Sequence, residues 1–148
     1  MMMNMNTSLR TTLDLMRART LVLRDVDNAL GAFHGIGLSD LALLLEVGAA
    51  PGGHIRRSEL AERLAVTTSG VARQLGPLER RRLVARDSSP GDARLALVSL
   101  TEAGERLTAD ALASAEETAE HVLGRFWSPE QQEQLADVLE HTRHPATR

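Results

Sequence analysis

The stretch "SELAERLAVTTSGVARQLGPLERRRLVARDSSPGDARLALVSL", residues 58–100, decides how this chain is read. Ser58 can cap a short helix, "ELAERLA", whose Leu60 and Leu64 fall on one face. "VTTSG" at 66–70 makes a tight connection, in which Thr67 or Thr68 can cap the next helix. In that helix Val71, Leu75 and Leu78 recur at helical spacing and point to a core. Gly76-Pro77 interrupts it, and a bend is expected because proline offers no N–H to the carbonyl four residues back. "LVARD" then reads as a strand, "SPGD" (89–92) as a type II turn, and "RLALVSL" (94–100) as the returning strand.

Short helix, tight turn, second helix and hairpin is the order of a winged helix-turn-helix. A recognition helix inserts its first turns into the major groove, so its outer face there must be small and polar with long donors to reach base edges. Thr67, Thr68, Ser69, Arg73 and Gln74 meet that requirement, since Arg pairs with guanine and Gln with adenine. On the wing, Arg94 either enters the minor groove, where narrow A·T tracts attract arginine, or pairs with Asp92 and stiffens the hairpin. Arg80, Arg81 and Arg82 read as solvated or phosphate-near rather than base-reading.

Working outward, residues 7–33 read as one long helix with two apolar stripes. Leu9, Leu13, Met16, Thr20, Leu23 and Leu30 mark the first, with Asp27 interrupting it; Leu15, Val22, Val26, Ala29 and Phe33 mark the second. A helix apolar on two sides needs two partners: its own core and a second subunit. Ser39 can cap a buried helix over 40–49, and "HIR" (54–56) can form a very short strand. Thr101 caps another long helix, striped by Leu107, Ala111, Ala115, Ala119, Val122 and Phe126. "SPEQ" (128–131) is a capping box opening a last helix, with Leu135, Val138 and Leu139 expected to face inward.

Charge is unevenly placed. The chain of 148 residues carries −3 overall, and all 17 basic residues are Arg. Residues 54–94 hold nine Arg against five acids, a balance of +4, while the remainder holds eight against fifteen, −7. A basic centre between acidic flanks fits a nucleic-acid footprint. With no Cys, disulfides and thiolate zinc sites are excluded. No apolar run reaches the ~20 residues of a membrane span, and the N-terminus has no apolar signal core, so a cytoplasmic location and no membrane partner are expected. No catalytic constellation is present: there is no phosphate-cradling Gly loop, no Gly-x-Ser-x-Gly elbow and no Tyr, so an enzyme is not expected.

"LSDLALLLEV" (38–47), the stretch from Ser58 through "LTEAG" (100–104) and "SPEQQEQL" (128–135) together resemble the MarR family of bacterial transcription regulators. The most specific part is "LERRRLV" followed by Asp92-Ala93-Arg94 through Val98, Leu100 and Thr101. The resemblance implies a homodimeric winged-helix regulator, usually a repressor that leaves a pseudo-palindromic double-stranded operator on binding a small-molecule effector, with no cofactor. Two positions depart from the family's pattern: Ala93 stands where the wing commonly has Arg, and Arg82 where Gly is common. The implied layout is an N-terminal dimerisation helix (1–38), a winged helix-turn-helix lobe (39–100) and C-terminal dimerisation helices (101–148), a mainly α fold with a small β-hairpin wing. His34, just after the first helix, is a candidate for the effector pocket. Two other readings stay open: a winged-helix protein–protein module without DNA binding, and a zinc-responsive regulator using some of His34, His54, His121, His141 and His144.

Overall fold

The computed structural model describes residues 5–87 and 96–143. Among these residues six α-helices and three strands follow in order: α1 (Thr7–His34), α2 (Leu38–Gly48), β1 (His54–Arg56), α3 (Arg57–Arg63), α4 (Thr68–Arg80), β2 (Val84–Asp87), β3 (Leu97–Leu100), α5 (Glu102–Gly124) and α6 (Pro129–Glu140). The strands form one antiparallel sheet in the order β1-β3-β2, with Ile55 opposite Val98 and Val84 opposite Leu100. The three-residue strand read at 54–56 is therefore real, and it closes the hairpin's inner edge. The turn at 89–92, with Asp92 and Arg94, lies outside the described residues.

The core sits where α2 is enclosed by α1, α5 and the helix-turn-helix. Leu41, Leu43, Leu44 and Val47 of α2 are buried, as its nearly all-round apolar sequence requires. They meet Val26 and Leu30 of α1, Leu60 of α3, Val71, Leu75 and Leu78 of α4, Val98 of β3, and Ala111 and Ala115 of α5. The small residues on α5 let it pack closely along α1. Gly104 is the extreme case: a Cβ there would lie 1.9 Å from the Leu83 carbonyl oxygen, so only glycine lets α5 cross the junction of α4 and β2. The same carbonyl accepts the Thr101 N–H at 3.1 Å, which pins the start of α5 to that crossing.

Several local expectations change. Helix α2 begins at Leu38, not after Ser39: Asp40 Oδ2 accepts the Gly37 N–H at 3.1 Å and Asp27 Oδ1 accepts the Leu38 N–H at 2.6 Å. Asp27 breaks the α1 stripe because it caps the next helix across the corner. Helix α3 begins at Arg57 with no side-chain cap, so Ser58 lies inside it. Helix α4 runs on through Pro77 to Arg80, so the step expected to bend the helix lies inside it. The two α1 stripes do not separate into one buried and one free: Leu30 of the first and Val26 of the second are buried, while Leu9, Leu13 and Met16 of the first and Leu15 and Phe33 of the second are exposed.

The last helix departs furthest. Its capping box is present, with Ser128 and Gln131 each accepting the other's N–H. Its apolar face is not inward, however: Val138 is 67% exposed, Leu139 is also exposed and Leu135 is half-buried. Phe126, placed at the end of the α5 stripe, lies past the helix and is exposed. Periodicity identified an apolar face on α6, but among the described residues of one copy nothing covers Val138 and Leu139.

Candidate nucleic-acid interface

Helix α4 is held on one face and open on the other. Val71, Leu75 and Leu78 are at most 2% exposed. At 3.6 residues per turn, Arg73 stands roughly 200° round from Val71, on the opposite face. Ser69 and Arg80, four before and seven after it, share that exposed row. Thr67 is the N-cap: its Oγ1 accepts the Gly70 N–H at 3.0 Å and lies 3.2 Å from Ser69 Oγ. Thr68 and Ser69 are exposed on the first turn, where free backbone N–H groups and the positive end of the helix dipole favour phosphate. Thr67, Thr68, Ser69 and Arg73 are thus all exposed in the first turns of α4, and Ser69 and Arg73 share one row.

Gln74 is placed differently. It is half-buried on the flank of α4, and its Nε2 donates to Asp40 Oδ1 at 3.2 Å. The amide read as an adenine donor is tied to α2 within the chain. The arginine cluster also divides. Arg81 donates to the carbonyls of Gly35 at 2.7 Å and His34 at 3.0 Å, the last acceptors of α1. Arg86 pairs with Glu79. Arg63 bridges Glu59 at 2.7 Å and Glu46 at 3.5 Å, pairings that raise its pKa further above the usual guanidinium range. Among the described residues, Arg73 and Arg80 have no such intramolecular partner, so the unneutralised positive charge of α4 lies on its exposed row.

Arg82 adopts a left-handed backbone with φ 58°, the region glycine enters without strain. Sequence reading placed it among phosphate-near arginines and missed this backbone demand. It also missed Asp40, Asp27 and Gly104, whose roles depend on residues far away in the chain. The left-handed turn follows the C-terminus of α4, a place where glycine is the common choice, so the departure at 82 was the available signal.

Away from α4, His34 Nε2 lies 2.8 Å from Ser114 Oγ, joining the end of α1 to α5 in a half-buried position. Among the described residues no three His, Cys, Asp or Glu side chains gather as a metal site, and no single helix is long and apolar enough to cross a membrane. Along the middle of α1, Leu21, Val22, Phe126 and Trp127 line an open groove of about 210 Å³. Arg125 pairs with Asp25 beside it. The Arg125 guanidinium, more than the neighbouring Arg24, holds the Asp25 carboxyl below the usual carboxylate range.

Residues 34–95 match the profile of the MarR family. The HTH-type transcriptional regulator YxaD of Bacillus subtilis (strain 168) is 32% identical over 88 residues, 60% of this chain. The match spans 61% of that relative's length. The fold superposes on a MarR-family transcriptional regulator from Rhodococcus sp. RHA1 with a TM-score of 0.81 at 24% identity, over 97% of this chain and all of that one. CouR bound to a 23-mer DNA duplex gives 0.76 at 26% identity, over 87% and 89% of the two chains. CouR from Rhodococcus jostii RHA1 bound to p-coumaroyl-CoA gives 0.74 at 26%, over 90% and 92%.

Proposed function

We propose, for a chain that belongs to the MarR family of winged helix-turn-helix transcriptional regulators and is not an enzyme, a homodimeric repressor that binds a pseudo-palindromic operator in the cytoplasm and leaves it on binding a small molecule. The observation that carries DNA reading is the open face of α4. Ser69, Arg73 and Arg80 line it with two guanidinium groups that have no partner among the described residues, while the opposite face is fixed in the core. Arg73 reads a guanine edge, and Thr67, Thr68 and Ser69 set the helix against phosphate. Arg94, outside the described residues, reaches the minor groove from the wing with Asp92 in support. Gln74 contributes by holding α4 to α2 through Asp40, and reaches a base only if that bond opens.

The dimer reading rests on apolar surface. Leu9, Leu13, Leu15 and Met16 on α1, and Val138 and Leu139 on α6, are exposed in one copy. Soluble monomers rarely leave large apolar patches open. Residues 1–38 and 101–148 pair the two copies, and residues 39–100 carry the DNA-binding lobe. The effector is assigned to the neighbourhood of His34, whose Nε2 lies 2.8 Å from Ser114 Oγ where α1 meets α5. CouR, which binds p-coumaroyl-CoA, supports an organic effector over a metal.

The test is the salt dependence of binding to a duplex selected by the protein itself. Affinity should fall steeply as salt rises, because each neutralised phosphate releases a counterion. A chain that retains no duplex at low salt would be a protein–protein module, and the DNA-binding reading would fall.

A further inference from the structure

Besides the Glu79–Arg86 pair with β2, two polar links tie helix α4 to one corner of the chain. The helix body packs on α3 and β2. At its C-terminal end Arg81 spreads two guanidinium nitrogens over the Gly35 and His34 carbonyls, at 2.7 and 3.0 Å. These are charge-assisted bonds to acceptors that the end of a helix leaves unsatisfied, at the negative end of the α1 dipole. The α1 terminus is itself fixed, by the left-handed Gly35 cap and by the contact of His34 with Ser114 on α5. The second link runs from Gln74 to Asp40 on the first turn of α2. Asp40 also caps Gly37, and Asp27 of α1 holds Leu38, so this link ends on the same α1–α2 corner.

From this geometry we infer that Arg81 is a positioning residue for DNA recognition, clamping the recognition helix to the end of the dimerisation helix and so fixing the distance between the two recognition helices of the dimer. The inference rests on the reading of the chain as a DNA-binding dimer. It goes beyond that reading by giving Arg81 no contact with DNA. Arg81 reads the spacing of half-sites, while Arg73 reads their bases. One inserted base pair shifts a half-site by about 3.4 Å and rotates it by roughly 35°. A clamped pair of helices resists that change, and a loosened pair follows it.

The full-length dimer first selects duplexes from a random pool. Wild type, Arg81→Ala and Arg80→Ala are then compared on the selected operator and on versions with one base pair added or removed between half-sites. For Arg81→Ala, the ratio of binding at the preferred spacing to binding at the altered spacings should fall by about tenfold, or ~1.4 kcal/mol. Its base preferences within each half-site should stay as in wild type. Arg80→Ala should weaken binding at all spacings alike, which separates the clamp from loss of a positive charge. If Arg81→Ala does not fold, Arg81→Lys keeps the charge without the planar two-nitrogen fork and should still lower the ratio. An unchanged ratio in the folded variant overturns the inference while leaving the DNA-binding reading intact. A wild-type dimer that selects no duplex overturns both.

Discussion

Replacing Gly104 with Ala tests the crossing of α5 over the junction of α4 and β2. The added Cβ would sit 1.9 Å from the Leu83 oxygen and 2.9 Å from its carbonyl carbon. Real Cβ atoms essentially never come closer than 3.0 Å, so α5 must retreat by 3.0 less 1.9, about 1.1 Å. The obstacle is backbone on both sides, and no rotamer relieves it. The retreat also stretches the bonds from Thr101 to Leu83 O, at 3.1 Å from N and 3.2 Å from Oγ1, and the bond from Thr101 Oγ1 to Arg82 O at 2.6 Å. Overpacking costs ~1–3 kcal/mol and a weakened cap ~1 kcal/mol, so a loss of roughly 2–4 kcal/mol is expected. At this chain length that lowers the melting temperature by about 6–12 °C. Thermal unfolding at fixed protein concentration measures it, with Gly31→Ala as the control. A Cβ at Gly31 meets nothing within 4 Å, and alanine there should stabilise α1 by about 0.5–1 kcal/mol. A Gly104→Ala variant melting within about 2 °C of wild type would refute the close approach.

Arg73→Ala should cost about 1–3 kcal/mol on the selected operator and relax preference at one position per half-site, measured by titration against single-base variants; unchanged affinity with an intact fold would remove Arg73 from the interface. Arg82→Gly should raise stability by about 0.5–1 kcal/mol in urea unfolding, because φ 58° strains any side chain; a loss would show that the Arg82 side chain does more than its backbone costs. Asp25 has its carboxyl pKa lowered below 3.8, chiefly by the hydrogen bond from Arg125. Its contribution is therefore present above the unfolded-state pKa and disappears as pH falls through the lower folded-state value. Asp25→Asn should flatten the fall of melting temperature in acid below about pH 4, and an acid limb identical to wild type would show that the pair is idle.

The elements of the winged lobe were legible because each carries its own local signal. Leucine and valine spacing located α3 and α4, Thr67 and Thr101 announced their helices, and alternation revealed the hairpin strands. The roles of Asp27, Asp40, Arg81 and Gly104 were not legible, since each is set by a partner at a sequence distance where no periodicity operates. Arg81 sits 46 residues from the Gly35 carbonyl that it binds, and Gly104 is required by the backbone of Leu83. Gln74 reads as a base contact by residue type, and its bond to Asp40, 34 residues away, has no signal in the local sequence. The inward reading of Leu135, Val138 and Leu139 failed for another reason. Periodicity shows that a helix has an apolar face, but not whether this copy or a second one covers it.

The central claim is that two copies present two recognition helices at a fixed separation on one face of a duplex. Inserting five base pairs between the half-sites of the selected operator, with the oligomeric state followed by light scattering, tests it most directly. The account predicts a dimer at micromolar concentration whose tight binding is abolished, because half a helical turn carries the second half-site to the opposite face. A monomer in solution, or tight binding that survives the insertion, would contradict it.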